Sequence, residues 1–570
     1  MGKAVRERLS ELERWKVRFG PDGARKKRML LRAMRHAAVL DPADLVGFHE
    51  TLCFLRAFPD DPVIMEAAEG ELRRFTARVE SCRKAHGGSL PDELVDSGIA
   101  GTVYRYPYGI AMVSWLVSTF GDAADIDWEA YGERKEDDLA IILSLLAGWV
   151  ETAALDDEQL SAHDWFKRAR GRRRIGALRW IVERLRSAGF PPQVQEALYD
   201  PLNITARWEL GASPASRTLA RIPEKAPFFQ TEPLQGRTRD LRAEIGRPLR
   251  RLRPVTRARG RTWIDLARCA LSVRERELYP LALANEQEVY EVAVGRGVRI
   301  VLFGMRGERR LPIESNYAGF VVRNGIPIGY AIGALLLDQV EIAVNIFPTF
   351  RQGESSFVFE QFARLFHHQF GSRVFLVERY QFGHENDEGL DAGSFWFYYK
   401  LGFRPVDRKV ASLGRKEAAR LQRDPSRRTS RRMLKRLARS NGILHLDAER
   451  QGRGEEISLT RIGLRVSRFV EERFGGDRQR AERVCAAEVL RTLGIPDLPR
   501  WSESERTAFQ RLSPLVRILP RLSALKPAEK QDLARVLRAK GSLREARYAR
   551  LAGRNEALRR ALTLLSRREV

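Results

Sequence analysis

Asn324-Gly325 separates two apolar segments, Phe320-Val321-Val322 and Ile326 to Leu337. This dipeptide favours a two-residue turn with positive φ at both positions, so the two segments read as a β-hairpin. Val340, Ile342, Val344 and Ile346 then alternate with Glu341, Ala343, Asn345 and Phe347, a period-two strand that stops at Pro348. After Arg351-Gln352-Gly353-Glu354-Ser355-Ser356 the period lengthens, and Phe359, Phe362, Phe366 and Phe370 recur at helical spacing. Val374 to Val377 form a short apolar strand, and Phe395 to Leu401 a last helix stopped by Gly402. This alternation of strands, loop and helices limits the centre of the chain to an α+β arrangement around one sheet.

A strand that feeds a polar, glycine-bearing loop opening a helix is a candidate anion site. The first N–H groups of such a helix lack internal partners and lie at the positive end of its dipole. Gly319 to Pro405, within about residues 290–410, resembles the core of the GNAT superfamily of acyl-CoA N-acyltransferases. Three features carry the likeness: the strand end Asn345-Ile346-Phe347-Pro348-Thr349-Phe350-Arg351, the helix and strand that follow, and Phe397-Tyr398-Tyr399-Lys400-Leu401-Gly402-Phe403, which is similar to the family's F-Y-x-K-L-G-F ending. Two departures stand out. With Arg351 first in the family's Q/R-x-x-G-x-G/A loop, Glu354 and Ser356 occupy the glycine positions. Asp391 stands where the family has an asparagine seven residues before its tyrosine, and Asn386 lies five residues earlier.

The resemblance implies direct acyl transfer from a CoA thioester to an amine, with acetyl-CoA or another acyl-CoA as co-substrate and no metal. It makes Tyr398 the acid that returns a proton to the CoA thiolate, a transfer suited to a phenol of pKa about 10. Glu341 is the candidate base for the amine, and Glu378 a weaker one. The donor would lie against Asn345, Ile346, Arg351, Gln352, Gly353, Glu354, Ser355, Ser356 and Asp391. A carboxylate at position 354 opposes a pyrophosphate unless its side chain turns away. The bland roles are a packing tyrosine beside Phe397 and a solvated strand-face glutamate at 341.

At 570 residues the chain is too long for one core. The expected fold is helix-rich α+β: a helical domain over 1–200, a Pro/Arg-rich linker or extended arm over 201–261, a GNAT-like mixed-sheet domain over 262–410, and a basic helical region over 411–570. Asp41-Pro42 and Asp61-Pro62 each read as a helix N-cap with proline in the first turn. The acidic run Asp122 to Asp138 lacks calcium-loop spacing and reads as a solvated loop. His367 and His368 fit the last turn of the phenylalanine-striped helix, where cations suit the dipole, and His384 is a second candidate base.

The formal net charge is +26. Two stretches concentrate it: 236–261 holds ten arginines against Asp240 and Glu244, and 413–440 holds eleven Lys/Arg against Glu417 and Asp424. Such a balance implies attraction to nucleic acid or an acidic protein through 236–261 and 415–439. The alternative to an enzyme is therefore an inactive GNAT-fold scaffold that uses these basic segments. Cys53, Cys82, Cys269 and Cys485 form no C-x-x-C pair, which argues against zinc or a disulfide framework. The charged N-terminus and apolar runs of only about a dozen residues imply a cytoplasmic protein with no membrane span.

Overall fold

The computed structural model describes residues 2–35, 37–39, 41–131, 136–147, 161–236, 240–249, 252–276, 279–450, 457–495 and 498–567. His36 and parts of the 236–261 arm and of the acidic run lie outside them. The chain is helix-rich α+β, with one large mixed sheet and one small sheet. It forms two compact units. The first comprises Met1–Leu234, Thr262–Leu283 and Val322–Ile328; the second comprises Gln235–Arg261, Ala284–Val321 and Gly329–Val570.

The first unit opens with helices. Asp41 caps Pro42–Ala57 by accepting from the Asp44 N–H at 3.0 Å, and Asp61 caps Pro62–Arg73 by accepting from the Ile64 N–H at 2.9 Å. Three short strands follow, β1 (Val103–Tyr106), β2 (Ala124–Ile126) and β3 (Ala206–Glu209), in an antiparallel sheet of order β1-β3-β2. An all-helical 1–200 is thus corrected: β3 lies far along the chain, so no local hairpin signal announces the sheet. The acidic run is corrected at two positions, which serve a helix start. Asp122 accepts from the Gly176 N–H at 3.0 Å and Asp125 from the Leu178 N–H at 2.9 Å. These two carboxylates satisfy unpaired N-terminal groups of the helix Ala177–Ser187, while Asp122 itself, Glu129 and Asp138 stay exposed as a solvated run would.

The second unit is built on an eight-stranded sheet, apart from Val322–Ile328, the turn end of two of its strands, which groups with the first. Its strands are β4 (Ala284–Gly295), β5 (Val298–Met305), β6 (Ser315–Arg323), β7 (Ile326–Leu336), β8 (Gln339–Ile346), β9 (Val374–Val377), β10 (Arg404–Pro405) and β11 (Gly442–His445), in the order β10-β11-β9-β8-β7-β6-β5-β4. Asn324 and Gly325 turn β6 into β7 with φ of 49° and 77°, the two positive values their identities favour. The helix Ser355–Phe370 lays its phenylalanine stripe on the sheet. Glycine is required beneath it, because a Cβ on Gly319 would meet Phe362 at 2.5 Å and one on Gly333 would meet Phe366 at 2.1 Å.

Strand β11 enters the sheet from beyond residue 410, between β10 and β9. Four residues, Gly442-Ile443-Leu444-His445, are too short a run to stand out among basic helices. The Pro/Arg-rich linker expected over 201–261 is divided: the part before Gln235 belongs to the first unit and supplies β3, and Gln235–Arg261 is an arm of this unit. Its helix Leu241–Gly246 lies against Ser355–Phe370, where Glu244 accepts from Gln361 Nε2 at 3.0 Å and the Ile245 carbonyl from His368 Nε2 at 3.1 Å. The C-terminal helices from Leu459–Phe474 to Glu556–Arg567 bury a core that includes Val489, Phe509, Leu533 and Leu562.

Candidate functional site

Strand β8 runs parallel to β9 but pairs with it only over Gln339↔Val374, Val340↔Phe375 and Glu341↔Leu376. On its other edge β8 stays paired with β7 as far as Ile346↔Gly329. The two parallel neighbours therefore part company halfway along β8, and a cavity of about 220 Å³ occupies the opening. Its walls include Val344, Asn345 and Ile346 from β8, Ser355 and Phe359 from the helix, and Gln381, Asn386, Glu388, Phe397 and Tyr398 from the segment after β9.

The helix Ser355–Phe370 starts at this cavity. Its preceding residue, Glu354, makes no side-chain cap, and its first turn holds no acidic residue. The first N–H groups are left for water or a ligand, at the positive end of the dipole. Glu354 points elsewhere: its side chain is 1% exposed, accepts from Arg296 Nε at 2.8 Å, and also accepts from the Gln235 N–H at 2.8 Å. Arg296 sits in the β4–β5 turn with φ of 54°. The carboxylate that would oppose an anion is thereby neutralised and turned out of the cavity, which answers the like-charge objection to position 354.

Tyr398 belongs to the helix Ser394–Lys400, which ends before Gly402 at φ 103°. Phe359, Phe382, Phe397 and Phe403 surround its ring at centroid distances of 5.1–5.7 Å. Burial among these rings raises the phenol above its ordinary pKa, so it holds its proton at neutral pH. Asn345 Nδ2 donates to the Tyr330 hydroxyl at 3.2 Å. Arg351 Nε donates to the Ile346 carbonyl at 3.2 Å, and its guanidinium pairs with Glu388 beside the cavity.

The expected donor residues divide. Asn345, Ile346, Arg351, Ser355 and Tyr398 line one cavity. Gln352 and Gly353 lie in the loop outside the lining, Glu354 turns away, and Ser356 sits in the first turn without lining the cavity. Asp391 is corrected: it pairs with the exposed Arg431, and Asn386 lines the cavity in its place while capping Asp387–Asp391 through the Gly389 N–H at 3.1 Å. Glu341 does not join Tyr398. It stands where β8 is still paired on both edges and lines a separate cavity of about 480 Å³ with Glu314, Gln339 and Arg461. His384 lies within 4.0 Å of Glu385, outside the lining. The residues that sequence reasoning missed are Arg296 and Gln381, which no local pattern connects to the loop.

Comparison with protein-family models, with curated proteins and with solved structures gives no match for this chain. Among the described residues no helix is long and apolar enough to cross a membrane, and no group of His, Cys, Asp and Glu is placed to hold a metal ion.

Proposed function

We propose that this chain is an acyl-CoA-dependent N-acyltransferase of the GNAT type, acting on an amine. The observation that carries the reading is the early parting of β8 from β9, with an uncapped helix N-terminus and Tyr398 on the walls of the opening. The free edge of β8 beyond Glu341 presents backbone groups that a pantetheine amide can pair with. The Ser355 end of the helix then receives the pyrophosphate, with Arg351 beside it. At about 220 Å³ the cavity holds the thioester end, and the nucleotide lies toward solvent.

In this mechanism the amine attacks the thioester carbonyl, the C–S bond breaks, and Tyr398 gives its proton to the leaving sulfur. Desolvation that raises the phenol also destabilises a thiolate in the same place, so donor and acceptor remain matched. Glu341 is not placed to take the amine proton directly, and that proton leaves through water. The test is the melting temperature of the full chain with acetyl-CoA and with longer acyl-CoAs. A ligand at 100 times its Kd adds about 2.7 kcal/mol. If no CoA species raises the melting temperature, the reading fails.

A second reading is supported by the exposed Arg415, Lys416, Arg423, Arg427 and Arg428 on and after the helix Arg408–Arg423. It makes the protein a scaffold that contacts nucleic acid through this surface and has no turnover.

A further inference from the structure

A cavity of about 650 Å³ in the second unit shares no lining residue with the Tyr398 site. Arg253, Arg544, Arg547 and Arg550 line it, together with Tyr290, Gln369 and Leu543, and no carboxylate does. Arg253 comes from the arm, and Arg547 and Arg550 lie one turn apart on the helix Ala546–Arg554. Arg544 Nε donates to the Gln287 carbonyl at 3.0 Å, and Arg550 to the Gln369 carbonyl at 3.5 Å.

The acids of the neighbouring sequence are committed. Glu288, fully buried, accepts from the Glu545 and Ala546 N–H groups at 2.8 Å each and from the Tyr317 hydroxyl at 2.7 Å. Glu545 pairs with Lys540. Arg253, Arg544 and Arg547 form no ion pair among the described residues. Like charges gathered without a counter-ion repel, and the arrangement is stable only with water or an anion between them.

Gln369 supplies an independent sign. It is 1% exposed, its Oε1 accepts from the Leu252 N–H at 3.3 Å, and its Nε2 has no hydrogen-bond partner among the described residues. A buried donor left unmade costs about 1–3 kcal/mol. In a cavity of four guanidiniums, which have donors and no acceptors, a ligand oxygen is the partner this amide can find. The volume lies within the ordinary range of small-ligand sites, and Leu543, 64% exposed, offers an apolar flank.

We propose that this cavity binds a small polyphosphate ester of the nucleoside di- or triphosphate class. Its phosphates would take the arginine forks and one oxygen the Gln369 amide.

The test is calorimetric titration of the full chain with inorganic tripolyphosphate, with adenosine and guanosine triphosphates, and with a mixed single-stranded oligonucleotide. The double variant Arg253→Ala/Arg547→Ala, both positions exposed, should weaken triphosphate binding by about tenfold or more. Gln369→Glu keeps an oxygen for the Leu252 N–H and sets a carboxylate among the arginines, so it should weaken triphosphate binding about tenfold or more yet leave the unliganded chain as stable or more stable, a split that a purely structural role would not give. Ser355→Asp should leave tripolyphosphate binding unchanged, which separates this cavity from the Tyr398 site. Triphosphate affinity that is absent, or unchanged in the double variant, overturns the proposal. Oligonucleotide binding tighter than triphosphate binding and lost in the double variant also overturns it, by assigning the site to a nucleic-acid backbone.

Discussion

Ser355→Asp separates helix stability from donor binding, because the two respond in opposite directions. Ser355 is the first residue of a 16-residue helix whose first turn carries no acid and whose N-cap makes no side-chain bond. A carboxylate there meets the positive end of the dipole and should stabilise the free protein by about 0.3–1 kcal/mol. What is lost is small: the Ser355 hydroxyl donates to the Arg351 carbonyl at 3.4 Å, a long bond. The same carboxylate would stand about 4–5 Å from a pyrophosphate seated on the helix. At an effective dielectric of about 20 each pair of unit charges then repels by roughly 3–4 kcal/mol, a loss of at least about 100-fold in affinity. The assay is differential scanning with and without acetyl-CoA. The variant should melt at or above the wild-type temperature alone and show almost no rise with ligand. An acetyl-CoA shift equal to that of the wild type would refute the placement of the donor at this helix.

Four further outcomes follow from the same geometry. Tyr398→Phe keeps all four ring contacts and should lower kcat by about 10²- to 10⁴-fold with little change in KM, while equal effects on both would mark a packing role. Glu388→Gln releases Arg351 from an exposed ion pair worth about 0.2–1 kcal/mol, so acyl-CoA should bind up to several times more tightly; weaker binding would show that the pair shapes the cavity. Arg261 and Arg257 hold the Glu286 carboxyl down to about 2, and Arg473 and Arg517 do the same for Glu488. Both folded values lie below the unfolded one, so their stabilisation is complete above pH about 4.5 and is lost as pH falls toward 2, a fall in the urea midpoint that Arg473→Ala/Arg517→Ala should shrink. If the scaffold reading holds, Arg415→Ala, Arg423→Ala and Arg427→Ala together should lower the salt slope of oligonucleotide binding by about two, since each lost phosphate contact removes roughly 0.7; an unchanged slope removes that surface as the contact.

Elements made from nearby residues were legible in the sequence, and those assembled across long separations were not. The Asn324-Gly325 turn, the alternation in β8, the phenylalanine stripe and the stop at Gly402 each depend on a few consecutive positions, and each appears in the structure where its pattern lies. By contrast β11 reaches β9 across 65 residues, and β3 reaches β1 across a hundred, with no local trace of the pairing. In the candidate site the same division holds. Ser355 and Tyr398 are legible because a loop–helix joint and an aromatic signature mark them. The neutralisation of Glu354 by Arg296, 58 residues earlier, is invisible without the fold. Asp391 and Asn386 exchange roles because a short helix of five residues rotates one side chain toward Arg431 and holds the other as its cap.

Charge illustrates why composition alone misplaces a binding surface. In the arm, Arg257 and Arg261 both reach Glu286, Arg259 reaches Glu291, and Arg242 donates to the His445 carbonyl at 2.8 Å. Those cations hold the arm against β4 and β11, so most of the positive charge described there is spent inside the protein. Around Arg408–Arg423 the acids are few: Asp407 and Asp424 sit at the helix ends, Glu417 is buried and pairs with Arg420, and Arg415, Lys416 and Arg423 stand in water. Two stretches of nearly equal formal charge therefore present different fields. What separates them is the supply of carboxylates on the partner strand: β4 carries Glu286, Glu288 and Glu291, whereas β10 carries none. Arg253 escapes this neutralisation only because it turns into a cavity that β4 lines with Tyr290 instead of an acid.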